Sequence, residues 1–258
     1  MKQSSNKTLN GFEQSQINCN NSIIMDELFS IANFSILFYG FLIGLKHATD
    51  TDHLAAIGTI IAEKRSLLSS ALVGGLWGLG HTVSLSLAGF LILFLEFQIS
   101  EEVEKFFESC VAVMLLLLGL NVFRKLLQGG ELHFHTHSHG SITHAHPHIH
   151  LGEDAAHTHH GLDLTFRSFL IGLVHGLAGS AGLMLMVIPT INSKLLGIVY
   201  IIVFGIGSIG GMMIMSFLVG LPFFLSSGFI RLNKILQVLA GSFSLFVGVY
   251  IIYEIYFT

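Results

Sequence analysis

A chain of 258 residues with 52% hydrophobic and only 11% charged side chains lies far outside the range of soluble domains, in which about a quarter of residues are charged. With a mean hydropathy of +0.73 it reads as an integral membrane protein. The formal net charge of -4 gives no ground for a nucleic-acid partner. The two cysteines, Cys19 and Cys110, make neither a disulfide framework nor a CxxC site and read as inert.

Residues 1–28 are polar and Asn/Ser-rich without a continuous apolar core, so they read as a disordered N-terminal tail rather than a cleavable signal. Apolar runs long enough for a bilayer, which takes roughly 20 residues, follow at about 29–62, 67–96, 103–127, 165–191, 195–222 and 231–257. Helices satisfy their own backbone polar groups in lipid. The expectation is therefore an all-α polytopic protein of six transmembrane helices, with one long connection at 128–163. Lys64, Arg65, Arg124, Lys125, Arg167, Arg231 and Lys234 flank the connections after spans one, three and five, against Lys105, Lys194 and the distant Lys2 and Lys7 on the other side. The positive-inside rule makes the first group cytoplasmic and puts both termini outside. The expected location is a bacterial inner (plasma) membrane.

FLIGLKH, Phe41 to His47, returns as FLIGLVH, Phe169 to His175, with six of seven positions identical. LLLGLNVFRKL, Leu116 to Leu126, aligns loosely with LFVGVYIIYEI, Leu245 to Ile255, at nearly the same offset. The chain thus divides into a three-helix repeat at 29–127 and a second at 164–258. Three spans per copy force the second copy upside down, the inverted-repeat plan of many secondary transporters, whose sites lie near the midplane at the repeat interface.

Within the first span lies LKHATDTDHLAAIG, Leu45 to Gly58. Counting back from Glu63, Lys64 and Arg65 at the cytoplasmic interface, His53 lies roughly 14 Å deep at 1.5 Å per helical residue. Ionisable groups at that depth mark function, because they are expensive unless paired, hydrated or coordinating an ion. On a continuous helix His47, Asp50 and His53 share an arc of about 120°. Asp52 points elsewhere, so either the helix unwinds, or Asp52 pairs with Lys46 or supports a His through its second ring nitrogen. Imidazole with carboxylate suits borderline divalent cations such as Ni, Co and Zn. A proton relay or a metal-free ion-pair network is the rival reading. His81 in span two and His175, the counterpart of His47, are further candidate ligands or gate residues. Ligating His must be neutral, so binding is expected to weaken below about pH 6.5.

Other polar and sulfur-bearing positions read as packing. Asn121 and Asn192 suit helix–helix hydrogen bonds or loops, and the glycines of spans two and five suit close helix approach. Met184, Met186, Met212, Met213 and Met215 read as flexible apolar packing before a thioether copper path. The long connection holds eleven of the fifteen histidines: His133, His135, His137, His139, His144, His146, His148, His150, His157, His159 and His160. Its Gly, Ser, Thr and Pro content cannot build a core, so it reads as a flexible, accessory metal-collecting loop, with a pH sensor as the competing idea. GxxxxGK[ST] and HExxH are both absent from the sequence, which removes the motif grounds for an ATPase or an intramembrane metalloprotease.

Lys46-His47-Ala48-Thr49-Asp50-Thr51-Asp52-His53-Leu54 resembles the signature of the nickel/cobalt transporter (NiCoT) family, in which Arg-His-Ala precedes a spaced Asp pair and a His. His47, Ala48, Asp50, Asp52 and His53 match it, while Lys46 replaces the usual Arg and Thr49, Thr51 and Leu54 also differ. Leu79-Gly80-His81 resembles the family's second motif. His175-Gly176-Leu177-Ala178-Gly179-Ser180 lacks the Asp, Thr and Glu of the third, and Gly211-Met212 keeps only the opening of the fourth. Six spans rather than eight resemble the short urease-accessory (UreH-like) branch. The resemblance implies Ni²⁺ or Co²⁺ as transported substrate and no organic cofactor. It implies cytoplasmic nickel chaperones or metalloenzyme maturation proteins as partners. Uptake is the expected direction and the chain is expected not to be an enzyme. The His-rich connection is similar to that of nickel/cobalt resistance exporters, which makes efflux the alternative. A membrane-bound metalloenzyme using the His/Asp cluster is the third class.

Overall fold

The computed structural model describes residues 31–62, 64, 66–95, 100–128, 132–139, 142–149, 161–177, 191 and 193–258. They form α1 (Ile31–His47), α2 (Thr51–Ile61), α3 (Leu67–Leu95), α4 (Glu101–Leu127), β1 (Leu132–His139), β2 (Ile142–Ile149), α5 (Gly161–His175), α6 (Lys194–Leu225) and α7 (Ile230–Phe257). The N-terminal tail with Cys19, the charged pair Glu63 and Arg65, and Met184, Met186 and Asn192 lie outside the described residues.

Among the described residues four helices are long and apolar enough to cross a bilayer: α3, α4, α6 and α7, of 29, 27, 32 and 28 residues. Their outward faces carry large apolar side chains, among them Leu79, Val83 and Leu87 on α3 and Ile202, Ile206 and Ile214 on α6. In water such faces would drive association; hydrocarbon is their natural solvent.

The expected first span is not one helix. α1 ends at His47, and Asp50, with φ -63° and ψ 148°, starts α2 from an extended backbone. Turn hydrogen bonds close the gap, from Thr49 N to Lys46 O at 2.8 Å and from Asp50 N to His47 O at 3.1 Å. The physical reason is the run Thr49-Asp50-Thr51-Asp52, whose short polar side chains favour helix starts over helix interiors. Likewise α5 stops at His175, the end of the repeated FLIGL lead. The His-rich connection also departs from a wholly flexible loop, because β1 and β2 pair antiparallel with His133, His135 and His137 in register with His148, His146 and His144. Alternating His-X-His has the two-residue period of a strand, so a local ribbon forms without a core, and the all-α expectation holds for the membrane part only.

α1 packs on α6, α5 on α3, α3 on α6, and α4 on α7. Glycines set the first two crossings. A Cβ on Gly44 of α1 would meet the carbonyl oxygen of Phe204, and one on Gly207 of α6 would meet that of Phe41. In the same way Gly172 of α5 abuts the carbonyl of Trp77, and Gly80 of α3 that of Phe169. α2 is the wedge at the centre. His53, Ala55, Ala56, Ile57, Gly58, Thr59 and Ile61 are buried along its 11 residues, and it packs with Val73, Trp77, Leu115, Met212 and Val247 as the main core. Its small side chains let α4, α6 and α7 close around it.

Candidate metal centre

The break between α1 and α2 turns two stretches of one apolar segment toward each other. His47, at the end of α1, and His53, in the first turn of α2, bring their rings to 4.3 Å between centroids. His81 from α3 lies 5.0 Å from each. His175, at the end of α5, lies 4.3 Å from His53. All four imidazoles are buried, at 2%, 1%, 0% and 1% exposure. The structure thus brings together all four histidines that lie outside the connection at 128–163.

Two carboxylates hold the rings. Asp50 Oδ2 accepts from His47 Nδ1 at 2.7 Å. Asp52 accepts from His53 Nδ1 at 3.0 Å through Oδ1 and from His175 Nε2 at 2.7 Å through Oδ2. The backbone N of His53 also donates to Asp52 Oδ1, at 2.9 Å. Of the sequence alternatives for Asp52, the unwound helix and the supporting carboxylate both describe the structure, and no bond to Lys46 is involved. Because a carboxylate only accepts, each of these contacts fixes the tautomer of its imidazole and turns the other nitrogen into a lone-pair donor.

Those other nitrogens converge. His47 Nε2 lies 3.0 Å from His81 Nε2. His53 Nε2, His81 Nδ1 and His175 Nδ1 are buried without a hydrogen-bond partner among the described residues. His47, His53 and His81 can present one nitrogen each within 4.8 Å of one another, and a carboxylate oxygen of Asp52 lies within the same distance of one nitrogen each of His53 and His175. A buried polar atom left unpaired costs about 1–3 kcal/mol, and buried, unpartnered imidazole nitrogens beside carboxylate oxygens suit a borderline divalent cation. Trp77 packs its ring at 5.2 Å from His53 and 5.4 Å from His175, closing the cluster on one side. No sequence motif marks Trp77 for this role; its position four residues before His81, one helical turn away, is the available signal.

The accessory histidines are separate from this cluster. His133, His135, His137, His139, His144, His146 and His148 lie on the β1–β2 ribbon, and His150, His157, His159 and His160 lie outside the described residues. Asn121 lies on α4 and Met212, Met213 and Met215 on α6, where Met212 belongs to the apolar core.

Apolar helices long enough to cross a bilayer, gathered around four buried imidazoles and two part-exposed carboxylates, define an integral membrane protein with a polar cluster among its helices. The chain is 34% identical over 221 residues to the urease accessory protein UreH of Bacillus sp. (strain TB-90), covering 86% of this chain and 92% of that protein. It belongs to the nickel/cobalt transporter (NiCoT) family, in the short UreH-like branch. It is also 27% identical over 172 residues to the chloroplast protein FOR GROWTH AND FERTILITY 1 of Arabidopsis thaliana, across 66% of this chain and 45% of that one. A high-affinity nickel transport protein of Cupriavidus necator is 28% identical over 114 residues, 37% of this chain and 32% of its own length. No family model and no solved structure matches the chain.

Proposed function

We propose that the protein carries a divalent transition metal, Ni²⁺ or Co²⁺, across the membrane into the cell, and that His47, His53, His81 and His175 receive it while Asp50 and Asp52 hold their rings. The observation that carries this reading is the convergence of four buried imidazoles whose second nitrogens are fixed by carboxylates or left unpaired. A relative named as a high-affinity nickel transport protein supports the choice of metal. Two arrangements support a 3+3 inverted repeat. The close approaches of Gly44 and Gly207 between α1 and α6 have counterparts in Gly172 and Gly80 between α5 and α3. Exchanging α1 with α5, α3 with α6 and α4 with α7 also maps the packings of α1 on α6, α5 on α3, α3 on α6 and α4 on α7 onto one another. On this reading α1 with α2 makes the first of six spans, and residues 29–127 and 164–258 are its two units. The His-rich connection at 128–163 faces the cytoplasm, where it meets metal released from the site and the chaperones or maturation proteins that take it on.

The test is ⁶³Ni²⁺ flux into proteoliposomes holding the purified protein, with His47→Ala as the comparison. Flux that is the same in both, or in empty vesicles, removes the reading. Efflux is the second reading, favoured by the His-rich connection between α4 and α5. Cellular ⁶³Ni content at trace external metal separates the two, since import raises it and export lowers it. Labelling of Cys19 by a membrane-impermeant thiol reagent in intact cells is expected from the topology; labelling only after permeabilisation reverses it.

A further inference from the structure

A cavity of about 830 Å³ runs from the His/Asp cluster toward the start of α4 and the end of α7. Its floor is His47, Asp50 and Asp52, and its walls carry Glu101 and Glu108 of α4 and Glu254 of α7. Among the described residues Lys105 is the single cation on this lining, and it is tied to Glu101 at 2.7 Å. Five carboxylates therefore face one cavity against one neutralised ammonium. Independently of the carboxylates, the cavity reaches His47, a side chain only 2% exposed, whose ring stands against that of His53 with its unpartnered Nε2.

We propose that this cavity is the outer vestibule through which a hydrated divalent cation reaches the His/Asp cluster, with Glu108 and Glu254 raising its local concentration. The inference rests on the cluster being the transport site. It adds the route, the side of entry and two residues outside the family signature. Water-lined clefts of one charge sign with low-dielectric walls focus field lines and raise counter-ion encounter by 10-fold or more. Glu108 is half-buried and Glu254 exposed, so the carboxylates grade from solvent toward the floor. Transfer inward is a ligand exchange. The ion arrives with its water shell among carboxylates and gives up water where imidazoles replace it. The Lys/Arg bias puts this end of α4 and α7 outside, which agrees with uptake from the external medium.

Two experiments in full-length protein test the vestibule. The double variant Glu108→Gln/Glu254→Gln should raise the half-saturating Ni²⁺ concentration for ⁶³Ni flux about 10-fold and flatten its dependence on ionic strength. Equilibrium Ni²⁺ stoichiometry of the purified variant in detergent should stay at the wild-type value. In a chain carrying Cys19→Ser and Cys110→Ser, Tyr250→Cys treated with an impermeant cationic thiol reagent in intact cells should lose most of the flux of the same variant untreated. Unchanged half-saturation and salt dependence, or full flux after complete labelling, overturns the vestibule. Wild-type protein that binds no Ni²⁺ overturns instead the reading of the cluster on which it stands.

Discussion

The two FLIGL leads share six of seven residues, and the segments they open equip the cluster very differently. After FLIGLKH the first repeat adds Asp50, Asp52 and His53 within six residues. FLIGLVH ends in His175, and the described residues that follow it, Gly176 and Leu177, add no ligand. The glycine contacts that lock each lead to its neighbour are nevertheless matched, Gly44 and Gly207 on one side and Gly172 and Gly80 on the other. Backbone packing and site chemistry have therefore parted company. Packing demands the same small residues in both copies, because any Cβ there meets a carbonyl, whereas one cluster needs only one set of carboxylates.

The comparison breaks first at the histidines. If the first repeat carries the chemistry, His53→Ala should reduce ⁶³Ni flux at least about 100-fold, since it removes the one ring shared by both possible donor groups. Residual flux near wild type would move the site elsewhere. His175→Ala asks whether the second repeat supplies a ligand or only a neighbour. A loss approaching that of His53→Ala makes the metal shared between repeats, and wild-type binding assigns it to the first repeat.

The carboxylates sharpen the contrast at the next level. Asp52 holds two imidazoles from opposite repeats and Asp50 holds one. Asp52→Asn should therefore lower Ni²⁺ affinity by about 10- to 100-fold and Asp50→Asn by less, the range expected when the group orienting a ligand is lost. Titration calorimetry on purified variants reads both, and the reverse order would contradict the bridging role.

Packing symmetry predicts equality rather than contrast. Gly44→Ile and Gly172→Ile each force a branched side chain against a facing carbonyl and should destabilise by about 1–3 kcal/mol. Similar losses of thermal stability in detergent support matched crossings, and a shift in only one variant refutes them. The smallest effect is expected from deleting 131–160, which removes the ribbon and its flanks. Flux should stay within about 2-fold of wild type, because the cluster's donors among the described residues all lie on or between the helices. Loss of flux in a well-inserted deletion would make the connection part of the path.

Much of the cluster was legible in the sequence because lipid makes charge conspicuous. His47, His53, His81 and His175 stand out as the only histidines outside the connection, and the structure gathers all four. The role of Asp52 was harder to read. Reckoning by 100° per residue assumes an unbroken helix, and the break at 48–50 rotates α2 so that Asp52 turns toward the cluster. The Thr-Asp-Thr-Asp run is a helix-start signal that points to the break once it is given weight against the apolar flanks. Glu108 and Glu254 were illegible for another reason. They lie about 150 residues apart at the ends of two helices, and only the packing of α4 on α7 puts them on one cavity. The ribbon was hidden by composition, which describes solvation and says little about local pairing.

The interruption after His47 has an electrostatic consequence of its own. α1 and α5 both deliver their final turns, not their first, to the cluster. A helix C-terminus exposes carbonyl groups and carries about half an elementary negative charge. Two such ends meet at the histidines, while the positive start of α2 has the Asp52 carboxylate in its first turn. The two helix ends of this protein therefore favour a cation over an anion beside the histidines, before the protonation or identity of any side chain enters.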